Sequence, residues 1–150
     1  MRRLLAVAAL SLLAAACSAD TASGASAATV PDHEHGEANA IVERVVDGDT
    51  IVVDIIGNRE RVRLLGIDTP ESVAVNRPEQ CFGKESAAHL TSLLPEGTEV
   101  TLIRDIESRD HYDRLLAYVV RSSDQIFVNL DLLERGYAGQ MIYEPNSFYR

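Results

Sequence analysis

The sequence predicts an α+β domain in which five short strands close into a small β-barrel with packed helices. Two observations carry this prediction. Residues 41–67 hold three stretches rich in β-branched and other apolar side chains, separated by tight turn signals, as in a meander. Beyond them, two segments with apolar residues at helical spacing flank two further strand-like stretches. The predicted order is therefore three strands, a helix, two strands and a helix.

The first half of the domain is predicted to be a meander followed by a loop. The predicted strands cover residues 41–46, 50–56 and 59–67, and the predicted loop covers residues 72–80. Aspartate and glycine at 47–49, and Gly57 with Asn58, favour the two turns. The third strand is expected to end at Pro70, because proline donates no ladder hydrogen bond and restricts the residue before it.

The second half supplies the remaining elements. They are a helix at residues 82–94, strands at 100–104 and 115–121, and a helix near 128–135. Ala87, Leu90 and Leu94 give the first helix an apolar face, and Pro95 stops it. Gly136 is expected to stop the second helix. Five short strands with packed helices fit a closed barrel of the OB type.

The start of the chain predicts export. Arg2 and Arg3 precede an apolar run that is too short to span a membrane comfortably and that ends at Cys17. We therefore expect a signal peptide of the lipoprotein type at residues 1–16, with a lipid on Cys17 that anchors the protein to a membrane. Plain secretion is the alternative. Either outcome places the protein outside the cytoplasm.

Composition limits the organisation and the function. Residues 17–39 contain almost no large apolar side chain and are expected to form a disordered tether before a single domain at 40–150. The formal net charge of the chain is −9. This charge argues against broad electrostatic coating of nucleic acid, but it allows a local basic cleft, especially one with a bound cation.

Two aspartates are predicted to share a cation. Asp49 stands at the root of the second strand and Asp68 at the end of the third, and neighbouring strand ends of a meander lie close together. With the backbone carbonyl of Thr69, they offer the oxygen ligands that calcium prefers. The alternative is that Asp49 belongs only to a hairpin turn.

Two arginines and a glutamate are candidates for phosphate chemistry. Arg63 lies on the third predicted strand and Arg114 opens the fifth. A guanidinium matches two phosphate oxygens, so two of them facing a divalent ion would surround a phosphodiester. Glu71 could hold or deprotonate an attacking water. The alternatives are surface salt bridges for the arginines and a loop-surface charge for Glu71.

Five segments in order resemble the staphylococcal nuclease-like (thermonuclease) family. They are VDGDT at 46–50, RLLGIDTPE at 63–71, FGKE at 82–85, DHYDRLLAY at 110–118, and a stretch from Val-Asn at 128–129 to Gly-Tyr-Ala at 136–138. Each segment alone is a weak signal, but together, at suitable spacing, they are highly specific. The resemblance covers most of the chain beyond the predicted tether.

The resemblance implies a calcium-dependent nuclease on an OB-type barrel. Such an enzyme hydrolyses phosphodiester bonds of DNA and RNA and leaves 3′-phosphate ends, and we expect it to act as a monomer. The implied site comprises metal ligands Asp49, Asp68 and Thr69, catalytic residues Arg63, Glu71 and Arg114, and nucleotide-binding residues Tyr112 and Tyr143. A tyrosine ring near the nucleotide can stack on a base with little sequence preference.

Several departures separate this chain from the family pattern. Asp113 stands where members usually have glycine, and His111 and Met141 replace a lysine and a tyrosine near the nucleotide. The family continues into a third helix, so the C-terminal helix is expected to be truncated. Cys81 has no partner in the domain and is interpreted as a buried or partly buried thiol. Asp113 and the acidic charge keep open the alternative of an inactive barrel that binds nucleic acid or protein.

Overall fold

The computed structural model describes residues 38–72 and 80–149. The predicted signal peptide, the predicted lipidation site at Cys17 and most of the predicted tether lie outside the described residues. Among the described residues, Asn39 is already hydrogen-bonded to the barrel: its side-chain amide exchanges hydrogen bonds of 2.8 and 3.1 Å with the backbone of Leu102. In the described ranges, no helix combines the length and the apolar character needed to cross a membrane.

The described residues form eight strands and two helices. The strands are β1 (Ala40–Asp47), β2 (Thr50–Ile55), β3 (Asn58–Leu64), β4 (Ile67–Asp68), β5 (Glu99–Ile103), β6 (Leu115–Arg121), β7 (Ile126–Phe127) and β8 (Gly139–Gln140). The helices are α1 (Gly83–Leu93) and α2 (Val128–Glu134). Strands β3, β2, β1, β5 and β6 pair in that order, and a parallel pairing of β3 with β6 closes the barrel. The predicted α+β class with a five-stranded OB-type barrel is therefore confirmed.

Alternation along the strands decides which side chains fill the barrel. On β3, Val62 and Leu64 point into the main core, whereas Arg61 and Arg63 alternate with them on the outer face. Helix α1 adds Leu90 to the same core. Full burial of a valine or leucine side chain contributes roughly 1.5–3 kcal/mol, so this inner face fixes the register from which the outer side chains project.

The third strand ends earlier than predicted. β3 stops at Leu64, and Gly66 adopts φ +79°, a left-handed conformation that glycine reaches without a Cβ clash. The chain then forms the separate strand β4, which pairs with β8. The turn at Gly66, rather than Pro70, therefore ends the strand, and Asp68 belongs to a short second ladder. The two-residue strands β4, β7 and β8 are too short to show a period-2 pattern in the sequence.

Candidate active site

A polar cleft of about 500 Å³ lies beside the turn between β1 and β2. Its lining includes seven of the predicted site residues: Asp49, Arg63, Asp68, Thr69, Glu71, Arg114 and Tyr143. An apolar pocket of about 600 Å³ lies elsewhere, against Tyr118, Phe127 and Phe148, and contains none of them. The charged chemistry is therefore concentrated in the polar cleft.

Asp49 is buried and anchored by hydrogen bonds. Its Oδ2 accepts from the backbone N–H and from Oγ1 of Thr69, both at 3.1 Å, and its Oδ1 accepts from Oγ1 of Thr50 at 3.0 Å. Gly48 allows this close approach, because a Cβ there would lie 2.7 Å from Thr69 Oγ1 and 2.8 Å from Ser86 Cβ. The turn before β2 and the loop after β4 are thereby joined at the carboxylate.

The guanidinium of Arg63 lies between the two aspartates. Its Nη2 is 3.1 Å from Oδ2 of Asp49 and 2.9 Å from Oδ1 of Asp68. Its Nη1 donates to the carbonyl oxygens of Leu64 and Ile67 at 2.7 and 2.8 Å. One nitrogen therefore brings the two carboxylates together, and its positive charge offsets the repulsion between them.

The donor set of the cleft is suited to a hard divalent cation. The Asp68 side chain is 61% exposed, and with Asp49 and the backbone of Thr69 it offers only oxygen donors, which calcium prefers. Within residues 38–72 and 80–149, no group of three or more His, Cys, Asp or Glu side chains is arranged to hold a metal ion. A bound cation would therefore take further ligands from water or substrate.

Glu71 is held beside a second buried acid, Asp47. The Glu71 backbone exchanges hydrogen bonds of 2.9 and 3.0 Å with Gln80. Oδ1 of Asp47 accepts from the Ser72 hydroxyl at 2.6 Å and from the Gly48 N–H at 2.8 Å. Burial raises the pKa of Asp47, but hydrogen bonds with the Glu71 side chain, Ser72 and Gly48 outweigh this effect and lower it. Sequence reasoning missed Asp47, although its place two residues before Asp49 was a visible signal.

Arg114 enters the cleft just before β6 and is held by Asp110. Buried Asp110 accepts from Arg114 Nε at 2.7 Å and from its backbone N–H at 2.9 Å. Burial raises the pKa of Asp110, but these bonds outweigh it, so the pKa is lowered. Tyr112 is 70% exposed, and its ring centroid lies 5.4 Å from Arg114 Cζ. Tyr112 thus flanks Arg114 at the surface. Sequence reasoning missed Asp110, although its position four residues before Arg114 was a visible signal of an ion pair.

Two of the departures noted in the sequence are resolved by the structure. Asp113 adopts φ +62°, and its carboxylate lies 3.5 Å from Arg109 Nη1, so this carboxylate is directed to Arg109.

Cys81 is exposed, which corrects the prediction of a buried or partly buried thiol. The reason is its position: it precedes α1, next to Phe82, which adopts φ +73° and is itself exposed.

The fold and the cleft define a class of small OB-type barrel with aspartates and arginines gathered at one polar site. Residues 61–150 match the family described as staphylococcal nuclease homologue. The chain belongs to this family. It spans 64% and 63% of the lengths of two thermonucleases that it resembles, a little under two thirds of each.

Three relatives illustrate the similarity. A thermonuclease of Staphylococcus intermedius is 46% identical over 110 residues, which cover 73% of this chain. A thermonuclease of Staphylococcus hyicus is 40% identical over 113 residues and also covers 73% of it. Endonuclease YncB of Bacillus subtilis is 37% identical over 112 residues, which cover 74% of this chain and 52% of that protein.

Proposed function

We propose that this protein is a calcium-dependent, extracytoplasmic nuclease that hydrolyses phosphodiester bonds of DNA and RNA and leaves 3′-phosphate ends. The observation that carries the proposal is the single cleft that gathers Arg63, Arg114, Glu71 and two aspartates. The names of the relatives, two thermonucleases and an endonuclease, support the same substrate class. A lipid on Cys17 would hold the monomeric protein at a membrane.

The acidic side of the cleft would hold the cation. Asp49, Asp68 and the carbonyl of Thr69 are its protein ligands in this proposal. Bound there, calcium would supply positive charge next to a phosphate oxygen. The hydrogen bonds that anchor Asp49 to Thr69 preorganise this side, because the buried carboxylate of Asp49 and the backbone of Thr69 are already held together.

The basic side of the cleft would hold the phosphate. Arg63 and Arg114 donate N–H groups to phosphate oxygens and stabilise the extra negative charge as water attacks phosphorus. Glu71 orients that water or accepts its proton. The exposed ring of Tyr112 is available to stack on a base, and Tyr143 forms part of the wall.

The second candidate function is a catalytically inactive barrel that binds nucleic acid or protein. One observation favours it: the two arginines assigned to phosphate binding already donate to carboxylates, Arg63 to Asp49 and Asp68, and Arg114 to Asp110. A phosphate has to compete with these acids for the same guanidinium donors.

Hydrolysis of single-stranded DNA and of RNA by the mature chain, measured with calcium and with a chelator, tests the proposal. We expect cleavage that requires calcium, and 3′ ends that a polymerase can extend only after phosphatase treatment. Equal rates with and without chelator would exclude the calcium mechanism. Tight binding without cleavage in calcium would favour the inactive module.

A further inference from the structure

Two arginines flank Val52 on the outer face of the barrel. Arg44 on β1 and Arg61 on β3 both pair with Val52 on β2. Directly paired residues of antiparallel strands project from the same face, with Cβ atoms roughly 4.5–5.5 Å apart. Val52 belongs to neither core cluster and is still only 2% exposed, so its outer-face neighbours cover it. We name this row, Arg44–Val52–Arg61, the basic rung.

The charges of the basic rung are available to a ligand. Arg44 and Arg61 are exposed, and no hydrogen bond or ion pair within the described part of the chain engages either guanidinium. By contrast, Arg59 on the same strand is paired with Glu43 at 2.6 Å. In a chain with 14 basic and 23 acidic residues, two arginines on either side of Val52 without acidic partners create a local positive potential that favours an anion.

The basic rung is continuous with the cleft. Two residues further along the same strands, Thr50 pairs with Arg63, and Thr50 Oγ1 lies 3.4 Å from Arg114 Nη1. Rungs two residues apart on one face are separated by roughly 6.5 Å. This separation is comparable with the distance between successive phosphates of an extended strand. Arg61 itself lines the cleft.

We propose that the basic rung binds phosphates of a single-stranded polynucleotide adjacent to the phosphate held by Arg63 and Arg114. The inference rests on the proposed nuclease function and specifies its substrate: an extended strand in preference to a minimal dinucleotide. Contacts to phosphates carry no sequence information, so the rung would add affinity without sequence preference.

Binding can be tested without cleavage by the anisotropy of a fluorescent oligothymidylate in chelator, over a range of salt concentrations. Each phosphate contact to a single strand contributes about 0.7 to the slope of log affinity against log salt. The Arg44→Ala/Arg61→Ala variant should therefore lose roughly 1.4 from the slope, and roughly 30- to 100-fold in affinity at about 50 mM salt. Arg59→Ala is the matched control, because it removes one charge that Glu43 already compensates, and it should leave the slope unchanged.

Cleavage assays separate this inference from the proposed function. On a long single strand in calcium, the double variant should show a raised KM with little change in kcat. On a dinucleotide with one phosphodiester, the double variant should lose much less kcat/KM than it loses on the long strand, because only Arg61 of the basic rung lines the cleft. Equal loss on both substrates, or an unchanged salt slope, would overturn the role of the basic rung. A wild-type protein whose salt slope is roughly 1.4 steeper than that of the double variant, but which cleaves neither substrate, would overturn the nuclease proposal. The role of the basic rung in binding would then still stand.

Discussion

Arg63 and Asp68 form an ion pair of 2.9 Å between a buried guanidinium and a largely exposed carboxylate. The same nitrogen contacts Asp49 at 3.1 Å. A cation bound by these acids and a phosphate bound by this arginine would each compete with the contact between Arg63 and the two aspartates. The resting stability of the cleft and its proposed chemistry are therefore linked through one side chain.

Replacing Arg63 is expected to reduce activity and stability together. Arg63→Ala removes a phosphate donor, which should lower kcat by about 10²–10³-fold. In chelator it should also lower the free energy of unfolding by about 3–5 kcal/mol, because buried Asp49 loses its charged partner. Arg63→Lys keeps the charge but cannot serve two carbonyls and two carboxylates at once. Kinetics and urea unfolding measure both effects, and Arg59→Ala is the surface control. Full activity in Arg63→Ala would remove the arginine from the mechanism.

Calcium should stabilise Arg63→Ala more than it stabilises the wild type. Without the guanidinium, the carboxylates of Asp49 and Asp68 repel each other, and a bound cation relieves that repulsion. The measurement is the shift in melting temperature between calcium and chelator for the two proteins. Equal shifts would indicate that the ion binds away from these aspartates.

Gly83 is expected to set the position of the Glu71 loop. A Cβ at this site would lie 2.7 Å from the carbonyl oxygen of Glu71 and 2.8 Å from its carbonyl carbon, so the loop has to move in Gly83→Ala. A misplacement near 1 Å can cost about 10²-fold in rate, so we expect kcat to fall by about 10–100-fold with helix content retained. Thr91→Ala, at an exposed site of the same helix, should leave kcat unchanged. Wild-type kcat in Gly83→Ala would show that the loop adapts.

The elements that could be predicted from the sequence are those that depend on local spacing. Strand β6 was expected at residues 115–121, and the structure has it at Leu115–Arg121, because a continuous apolar run bounded by polar residues is unambiguous there. The first helix, predicted at 82–94, forms at Gly83–Leu93. The proximity of Asp49 and Asp68 was also predicted from the sequence, although Asp68 lies on the short strand β4 and not at the end of the third strand of the meander.

What could not be predicted depends on tertiary placement. Nothing local indicates that Asp47 meets Ser72, which is 25 residues away, or that β4 pairs with β8. The exposure of Cys81 follows from how the chain enters α1, which the neighbouring residues in the sequence do not reveal. The roles assigned to Glu71, to the calcium ligands and to the tyrosines remain predictions.

Asp113→Gly is expected to stabilise the protein. Asp113 is held at φ +62°, where a side chain with a Cβ is strained and glycine is not. Its ion pair with Arg109 is 3.5 Å long and solvent-exposed, so its loss should cost little. We expect a net gain of up to about 1 kcal/mol in the free energy of unfolding, because relief of the left-handed strain is partly offset by the greater conformational entropy that glycine loses on folding. Denaturant titration of both proteins measures it, and a loss of stability would mean that the ion pair outweighs the strain.

The stability of the domain is expected to decline in acid partly through Asp131. Its carboxylate joins the two helices, accepting from Arg135 Nε at 2.8 Å and lying 2.9 Å from His89 Nε2. Burial raises the pKa of Asp131, but the hydrogen bonds from Arg135 and His89 outweigh it and lower the pKa. A lowered folded-state pKa stabilises the protein above the unfolded value of about 3.9, and that stabilisation is lost as the pH falls through the folded value.

Asp131→Asn isolates this contribution. At pH 7 the variant should lose about 1.5–3 kcal/mol, the range for hydrogen bonds to a charged group. Below pH 4 its free energy of unfolding should converge on that of the wild type. Urea titrations across this pH range measure the difference, and a constant gap at every pH would contradict the proposed titration.

Strand β3 turns Val62 and Leu64 inward and Arg61 and Arg63 outward. Inserting or deleting one residue in this strand would exchange the two sets, turning guanidiniums into the apolar core and aliphatic side chains to the outer face. Substitution of a single residue does not change the face from which the other side chains of the strand project. We therefore expect divergent relatives to differ here in residue type but to align across the strand without gaps.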